Sequence, residues 1–243
     1  MAAEKQGTEG QGKWMYPKLY FIGDSNTQQG YSCGGFLGML ANEYIRICDV
    51  VARGFSGYTS DHLNLMIPEL LQNDNQPKGT IETAVILLGS NDSVDEKLDN
   101  RHVPIKKFEQ NIQNIVKALK ENNVKNIVLM SPPPVDDVAW GKWLWDKKNK
   151  PCANFNSNLP KYVDVCKRVA DMHNLTFVDL FNDMLTNQEW RSFFVDGLHF
   201  SQKGHSYVFY KLKEVLDSIY ANRKFIYPDF SLIDHQQPEK DLL

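Results

Sequence analysis

A chain of 243 residues with a net charge of −3 and 42% apolar residues can bury a substantial core, and its length suits one large domain better than two small ones. The same balance excludes fibrous and disordered classes and leaves no overall basic footprint for nucleic acid. No stretch approaches the ~20 apolar residues of a membrane-spanning helix.

The chain opens on "MAAEKQGTEGQGKW", a polar leader without the apolar core of a secretory signal, whose glutamates also argue against a transit peptide. Residues 1–16 are therefore expected to be a loose leader, and the cytoplasm is the expected compartment. "LYFIG" from Leu19 reads as the first strand and breaks at the polar cluster Gly23-Asp24-Ser25-Asn26-Thr27. The apolar spacing of "GGFLGMLANEYIRI" predicts the first helix. Further strands are predicted at "DVVARGF" from Asp49, "TAVILLG" from Thr83, "NIVLMSP" from Asn126 and "LTFVDLF" from Leu175. Several of these runs are nearly continuous rather than alternating, as strands buried on both faces should be. A clear amphipathic helix is predicted from Pro104 to Asn122, with Pro104 in its first turn. Between Pro132 and Pro160 a long connection carries Trp140, Trp143 and Trp145. It reads either as a lid that forms part of an acyl or alcohol pocket or as an amphipathic segment packed on the core. A last helix is predicted from about Ser206, followed by a polar tail over 233–243. Strand-helix alternation of this kind implies one α/β domain, over 17–232, built on a parallel, doubly wound sheet. The cysteines Cys33, Cys48, Cys152 and Cys166 lack paired close spacing and read as reduced thiols.

Functional residues of such sheets gather where strands end, and four places qualify. Ser25 stands where the first strand gives way to a helix, so it is either an N-cap or a hydroxyl presented at the sheet edge beside an unsatisfied N–H. "RGFSGYTS" ends the second strand, and its Gly54 and Gly57 allow backbone N–H groups to approach a ligand. "LGSNDS" follows the third strand, where Asn91 is either an Asx-turn residue or an amide donor aimed at the same point. In "DGLHFSQKG" Asp196 and His199 lie three apart, and a helical turn there would let the carboxylate hold the imidazole. A rival serine, Ser32 in "GYSCG", satisfies the G-x-S-x-G elbow pattern, but that motif requires a strand directly before the serine, and "NTQQGY" is not one. The strand-to-helix junction falls at Ser25. The scattered histidines and cysteines lack zinc-site spacing.

In order and placement, the blocks "GDSN", "GFSG", "GSND" and "DGLH" resemble those of the SGNH or GDSL hydrolases, and the resemblance spans nearly the whole chain. The wider wording, "GDSNTQQG", "RGFSGYTS" and "DGLHFSQKGH", is most similar to the isoamyl acetate-hydrolysing esterases within that family. The resemblance implies a three-layer α/β/α sandwich with a five-stranded, parallel, flavodoxin-like sheet. It also implies a serine esterase of short-chain acetate-type esters that needs no metal or organic cofactor. Ser25 would be the nucleophile, His199 the base and Asp196 its orienting partner, with Ser25, Gly57 and Asn91 forming the oxyanion hole. The partner is then a small-molecule ester; a homo-oligomer is not readable from the chain. One departure is Asn26, where related esterases usually carry an aliphatic residue, and it bears on local packing. The alternatives are a deacetylase of acetylated sugars or a thioesterase on the same fold, or a non-catalytic flavodoxin-like protein whose first loop cradles a phosphate.

Overall fold

A computed structural model describes residues 15–242. The leader expected over 1–16 therefore lies, except for its last two residues, outside the described residues. In chain order the main elements are β1 (Lys18–Gly23), α1 (Ser25–Gln28), α2 (Phe36–Glu43), β2 (Asp49–Gly54), α3 (Ser60–Asp74), β3 (Ile81–Leu87) and α4 (Ile105–Glu121). They continue with β4 (Asn126–Met130), α5 (Asp137–Lys148), α6 (Pro160–His173), β5 (Thr176–Val178), α7 (Leu180–Leu185) and α8 (Gln202–Tyr220). A helical turn, α9 (Glu239–Leu242), lies in the polar tail.

The five strands form one parallel sheet in the order β2-β1-β3-β4-β5, the doubly wound arrangement expected from the sequence. Apolar strand runs are continuous because both faces are covered. On β1, Tyr20 and Ile22 pack with Leu63 and Ile67 of α3, Phe108 and Ile112 of α4 and Val169 of α6. Leu19 and Phe21, pointing the other way, pack with Phe36 and Leu40 of α2 and Leu212 and Leu216 of α8. β1 and β3 are buried along almost their whole length, whereas β2 and β5 at the edges are partly exposed.

Two helix starts differ from expectation. α8 begins at Gln202, about a turn earlier than Ser206, because Ser201 caps it by accepting the Gly204 N–H at 3.2 Å. Pro104 is the N-cap of α4 rather than a first-turn residue, and its C=O accepts the Phe108 N–H. The four cysteines are free thiols, with Cys48 and Cys166 buried and Cys33 exposed. Among the described residues no helix is long and apolar enough to cross a membrane.

In a sheet of this order the chain winds away from the β1/β3 boundary in both directions, leaving a crevice at the strands' C-terminal ends. Gly23, the last residue of β1, pairs with Gly54 at the end of β2 and Leu87 at the end of β3. The loops after β1, β2 and β3 therefore emerge side by side.

Candidate active site

The polar cluster after β1 makes a single helical turn. Asp24, not Ser25, is the N-cap: its side chain accepts the Asn26 N–H at 3.0 Å, and its C=O accepts the first helical bond, from Gln28 N–H at 2.9 Å. Ser25 is thereby released from capping. Its N–H belongs to the open first turn, ahead of the helix's own hydrogen bonds. Asp24 is fully buried, and that burial pushes its carboxyl up to about 6, against the opposing pull of the Asn26 N–H and of His199.

Loops two and three are stapled together by neighbouring residues. Asn91 donates from Nδ2 to the Tyr58 C=O at 2.9 Å, and Asp92 accepts the Ser60 N–H, the first of α3, at 2.8 Å. Gly57, in the turn being held, has φ of +80°, a conformation that L side chains rarely adopt. Asn91 is 3% exposed, so its amide is fixed rather than solvated. Asp92 is completely buried, which pushes its carboxyl up to about 7 despite the hydrogen bonds from Ser60.

Asp196 and His199 do meet, but not on a helical turn. Asp196 Oδ1 accepts the backbone N–H of both Leu198, at 2.9 Å, and His199, at 2.8 Å, so the carboxylate itself closes the turn. The turn sits between the bridged residues Phe194 and Phe200. Gly197 inside it has φ of +100°, and a Cβ there would lie 2.5 Å from the Asp136 O and the Trp140 N. Only glycine lets this turn dock so closely on the start of α5. The remaining carboxylate oxygen, Oδ2, meets His199 Nδ1 at 2.7 Å. Burial raises the Asp196 carboxyl, but the imidazole and the two N–H donors outweigh it and hold the group below its usual range. An ionised carboxylate only accepts, so Nδ1 carries a proton, and in the neutral imidazole Nε2 is then the acceptor. Nε2 lies 3.0 Å from Ser25 Oγ. Ser32 occupies a different place: it follows a 3₁₀ turn on the exposed connection to α2.

Each of the expected positions is thus on the same edge of the sheet. Ser25, His199 and Asp196 form a continuous hydrogen-bonded chain, and Gly57 and Asn91 stand on the two loops flanking Ser25. The profile of the GDSL-like lipase/acylhydrolase family matches residues 21–207. The chain belongs to this family. Among its relatives, the human "isoamyl acetate-hydrolyzing esterase 1 homolog" is 30% identical over 233 residues, covering 94% of this chain and 93% of that one. The isoamyl acetate-hydrolyzing esterase of Saccharomyces cerevisiae is 30% identical over 218 residues, covering 84% and 88%. A lipase/acylhydrolase from Enterococcus faecalis shares the fold with a TM-score of 0.64 at 21% identity, over 86% of this chain and 98% of that one. This GDSL-family chain is a carboxylic ester hydrolase.

Three further residues touch these positions, and of them only Arg101 carried no signal in the sequence. Asn26, 1% exposed, donates from Nδ2 to the Leu198 C=O at 3.4 Å and accepts the Phe200 N–H on Oδ1 at 3.2 Å. The departure noticed in the sequence is therefore a bridge from the Ser25 turn to both sides of His199. Arg101 donates to Asn91 Oδ1 at 2.8 Å. Trp140 sets its ring edge-on to His199, centroids 5.5 Å apart at 85°, and its Nε1–H reaches Asn154 at 3.0 Å. The segment between Pro132 and Pro160 is accordingly packed against the site through α5: Trp140 is buried and stacked on Trp143, while Trp145 is 63% exposed. An open groove of about 820 Å³ runs between α5 and the loop 98–101, with Arg101, Trp140 and Trp143 in its wall. Among the described residues, no group of three or more His, Cys, Asp or Glu is placed to hold a metal.

Proposed function

We propose that the chain hydrolyses short-chain, acetate-type carboxylic esters by acyl transfer to Ser25. The observation that carries this is the hydrogen-bonded run from Ser25 Oγ through His199 to Asp196, at 3.0 and 2.7 Å. Ser25 Oγ attacks the ester carbonyl while His199 Nε2 takes its proton, and Asp196 stabilises the imidazolium that forms. Collapse of the tetrahedral intermediate breaks the ester C–O bond, and Nε2 returns the proton to the departing alcohol. Water, deprotonated by the same nitrogen, then attacks the acyl-serine, releasing the acid and restoring the Ser25 hydroxyl. The oxyanion of each intermediate is held by the N–H groups of Ser25 and Gly57 and by the Asn91 amide, donors fixed where charge develops. The short acyl group is supported by the two relatives named for isoamyl acetate hydrolysis.

A second reading, deacetylation of acetylated sugars, is favoured by the stacked Trp140–Trp143 pair, centroids 5.0 Å apart, in the wall of the groove. A non-catalytic binding protein would have no use for the hydrogen-bonded chain. The test is a panel of p-nitrophenyl esters graded by acyl length, run beside natural acetates that include isoamyl acetate and acetylated sugars. Fluorophosphonate labelling accompanies it. Activity falling steeply beyond short acyl chains, with a label on Ser25 that is lost in Ser25→Ala and kept in Ser32→Ala, is the expected result. Labelling of Ser32, or equal turnover of long acyl chains, would overturn the reading.

A further inference from the structure

An amide in an oxyanion hole has to present its nitrogen, and a primary amide can turn its oxygen there instead. Asn91 is constrained from both ends. Its Nδ2 faces the Tyr58 C=O at 2.9 Å, which only accepts, and its Oδ1 faces Arg101 Nη1 at 2.8 Å, which only donates. Turning the amide over would set two acceptors against each other at one end and two donors at the other. The Tyr58 bond uses one of the two N–H groups on Nδ2, so the other remains for a ligand.

Arg101 is itself held. Its Nε lies 3.0 Å from each oxygen of Asp99, its Nη2 lies 2.6 Å from Oδ2, and its backbone N–H closes on Oδ1 at 2.9 Å. The fork engages the carboxylate through Nε and Nη2 and points Nη1 at Asn91. Arg101 keeps Asp99 below the usual carboxylate range, so the pair persists into acid. Nη1 also lies 4.0 Å from where a Cβ on Gly57 would stand, so the guanidinium sits beside two of the three proposed oxyanion donors. Because Asp99 offsets the cation, orientation and polarisation of the amide, rather than a bare positive charge, are what it supplies. A charge-assisted bond to Oδ1 draws electron density from the amide and strengthens its free N–H as a donor.

We propose that Arg101, braced by Asp99, is a positioning residue that locks and polarises the Asn91 amide for the oxyanion. This rests on the reading of Asn91 as an oxyanion donor. The test is a double-mutant cycle of Arg101→Ala and Asn91→Ala, with kcat and KM on p-nitrophenyl acetate, the rate constant of fluorophosphonate labelling, and the melting temperature of each variant. Asn91→Ala alone is expected to lose about 10²–10³ in kcat. Arg101→Ala is expected to lose about 10- to 100-fold in kcat and in labelling rate, with KM within about twofold. The double variant should be no slower than Asn91→Ala, and Arg101→Lys should recover part of kcat. Losses that multiply in the double variant, or a raised KM with kcat intact, would overturn the role of Arg101 while leaving the oxyanion reading standing. Full kcat in folded Asn91→Ala would overturn both. If Arg101→Ala does not unfold cooperatively, Arg101→Lys takes its place in the cycle and the same non-additivity decides.

Discussion

Replacing Asn26 with leucine removes its amide and tests whether the asparagine ties the site together. The substitution keeps nearly the same volume at a position 1% exposed, so no large cavity is expected. It removes the partner of the Phe200 N–H, at 3.2 Å, and of the Leu198 C=O, at 3.4 Å. A buried polar group left unpaired costs about 1–3 kcal/mol. The longer contact weighs toward the low end, giving about 3 kcal/mol for the two. For a chain of this size each kcal/mol moves the melting temperature by about 2–4 °C, so Asn26→Leu is expected to melt about 6–12 °C lower. Leu198 and Phe200 flank His199, so loosening them lets Nε2 drift from its 3.0 Å contact with Ser25 Oγ. Misplacement of a reacting group by 1 Å costs about 10²-fold, so a loss of about 10- to 100-fold in kcat is expected. The assays are thermal unfolding by circular dichroism and steady-state hydrolysis of p-nitrophenyl acetate well below the lower midpoint. A variant that melts within about 2 °C of the parent and keeps its kcat would refute the bridging argument. One that melts lower but retains kcat would refute only its positional part.

Asp196→Asn sets an amide nitrogen against His199 Nδ1, which forces the wrong tautomer, and should lower kcat by about 10⁴ while circular dichroism shows the fold intact. Asp92, pushed up to about 7 by burial, keeps a proton in the folded chain that the unfolded chain releases near pH 4. Its contribution is therefore fully present below about pH 4 and is lost as pH rises through about 7. Asp92→Asn keeps a carbonyl for the Ser60 N–H and should flatten that fall in urea midpoint between the two pH values; an unchanged slope would show that Asp92 is ionised throughout. Trp140→Ala empties a site between His199 and Trp143 and should cost about 3–5 kcal/mol in denaturant unfolding. Trp140→Phe, which retains an aromatic ring but strands the Asn154 carbonyl, should cost less.

Much of this molecule follows from local chemistry. The apolar runs at Leu19, Asp49, Thr83, Asn126 and Leu175 are strands because both faces of a parallel sheet need apolar side chains, and the helix after Pro104 follows from its 3.6-residue spacing. That the strand-to-helix junction falls at Ser25 and not at Ser32 was also legible, since the apolar run ends two residues before Ser25. The pairing of Asp196 with His199 was visible as a spacing, although its geometry was not: a helical turn was one way to join them, and the carboxylate instead closes an Asx turn by taking two backbone N–H groups.

What the tertiary structure decided are contacts without a period. Asn26 meets Leu198 and Phe200 across more than 170 residues, and Arg101 meets Asn91 only because the loop after β3 doubles back. The tryptophan segment read equally well as a lid or as surface packing. It is placed by Gly197, whose missing side chain lets the start of α5 dock against the His199 turn. Periodicity records which face of an element is buried, because every third or second residue shares that face. A polar side chain that reaches one backbone group on a distant loop leaves no such repeat, so it becomes visible only when the chain has folded.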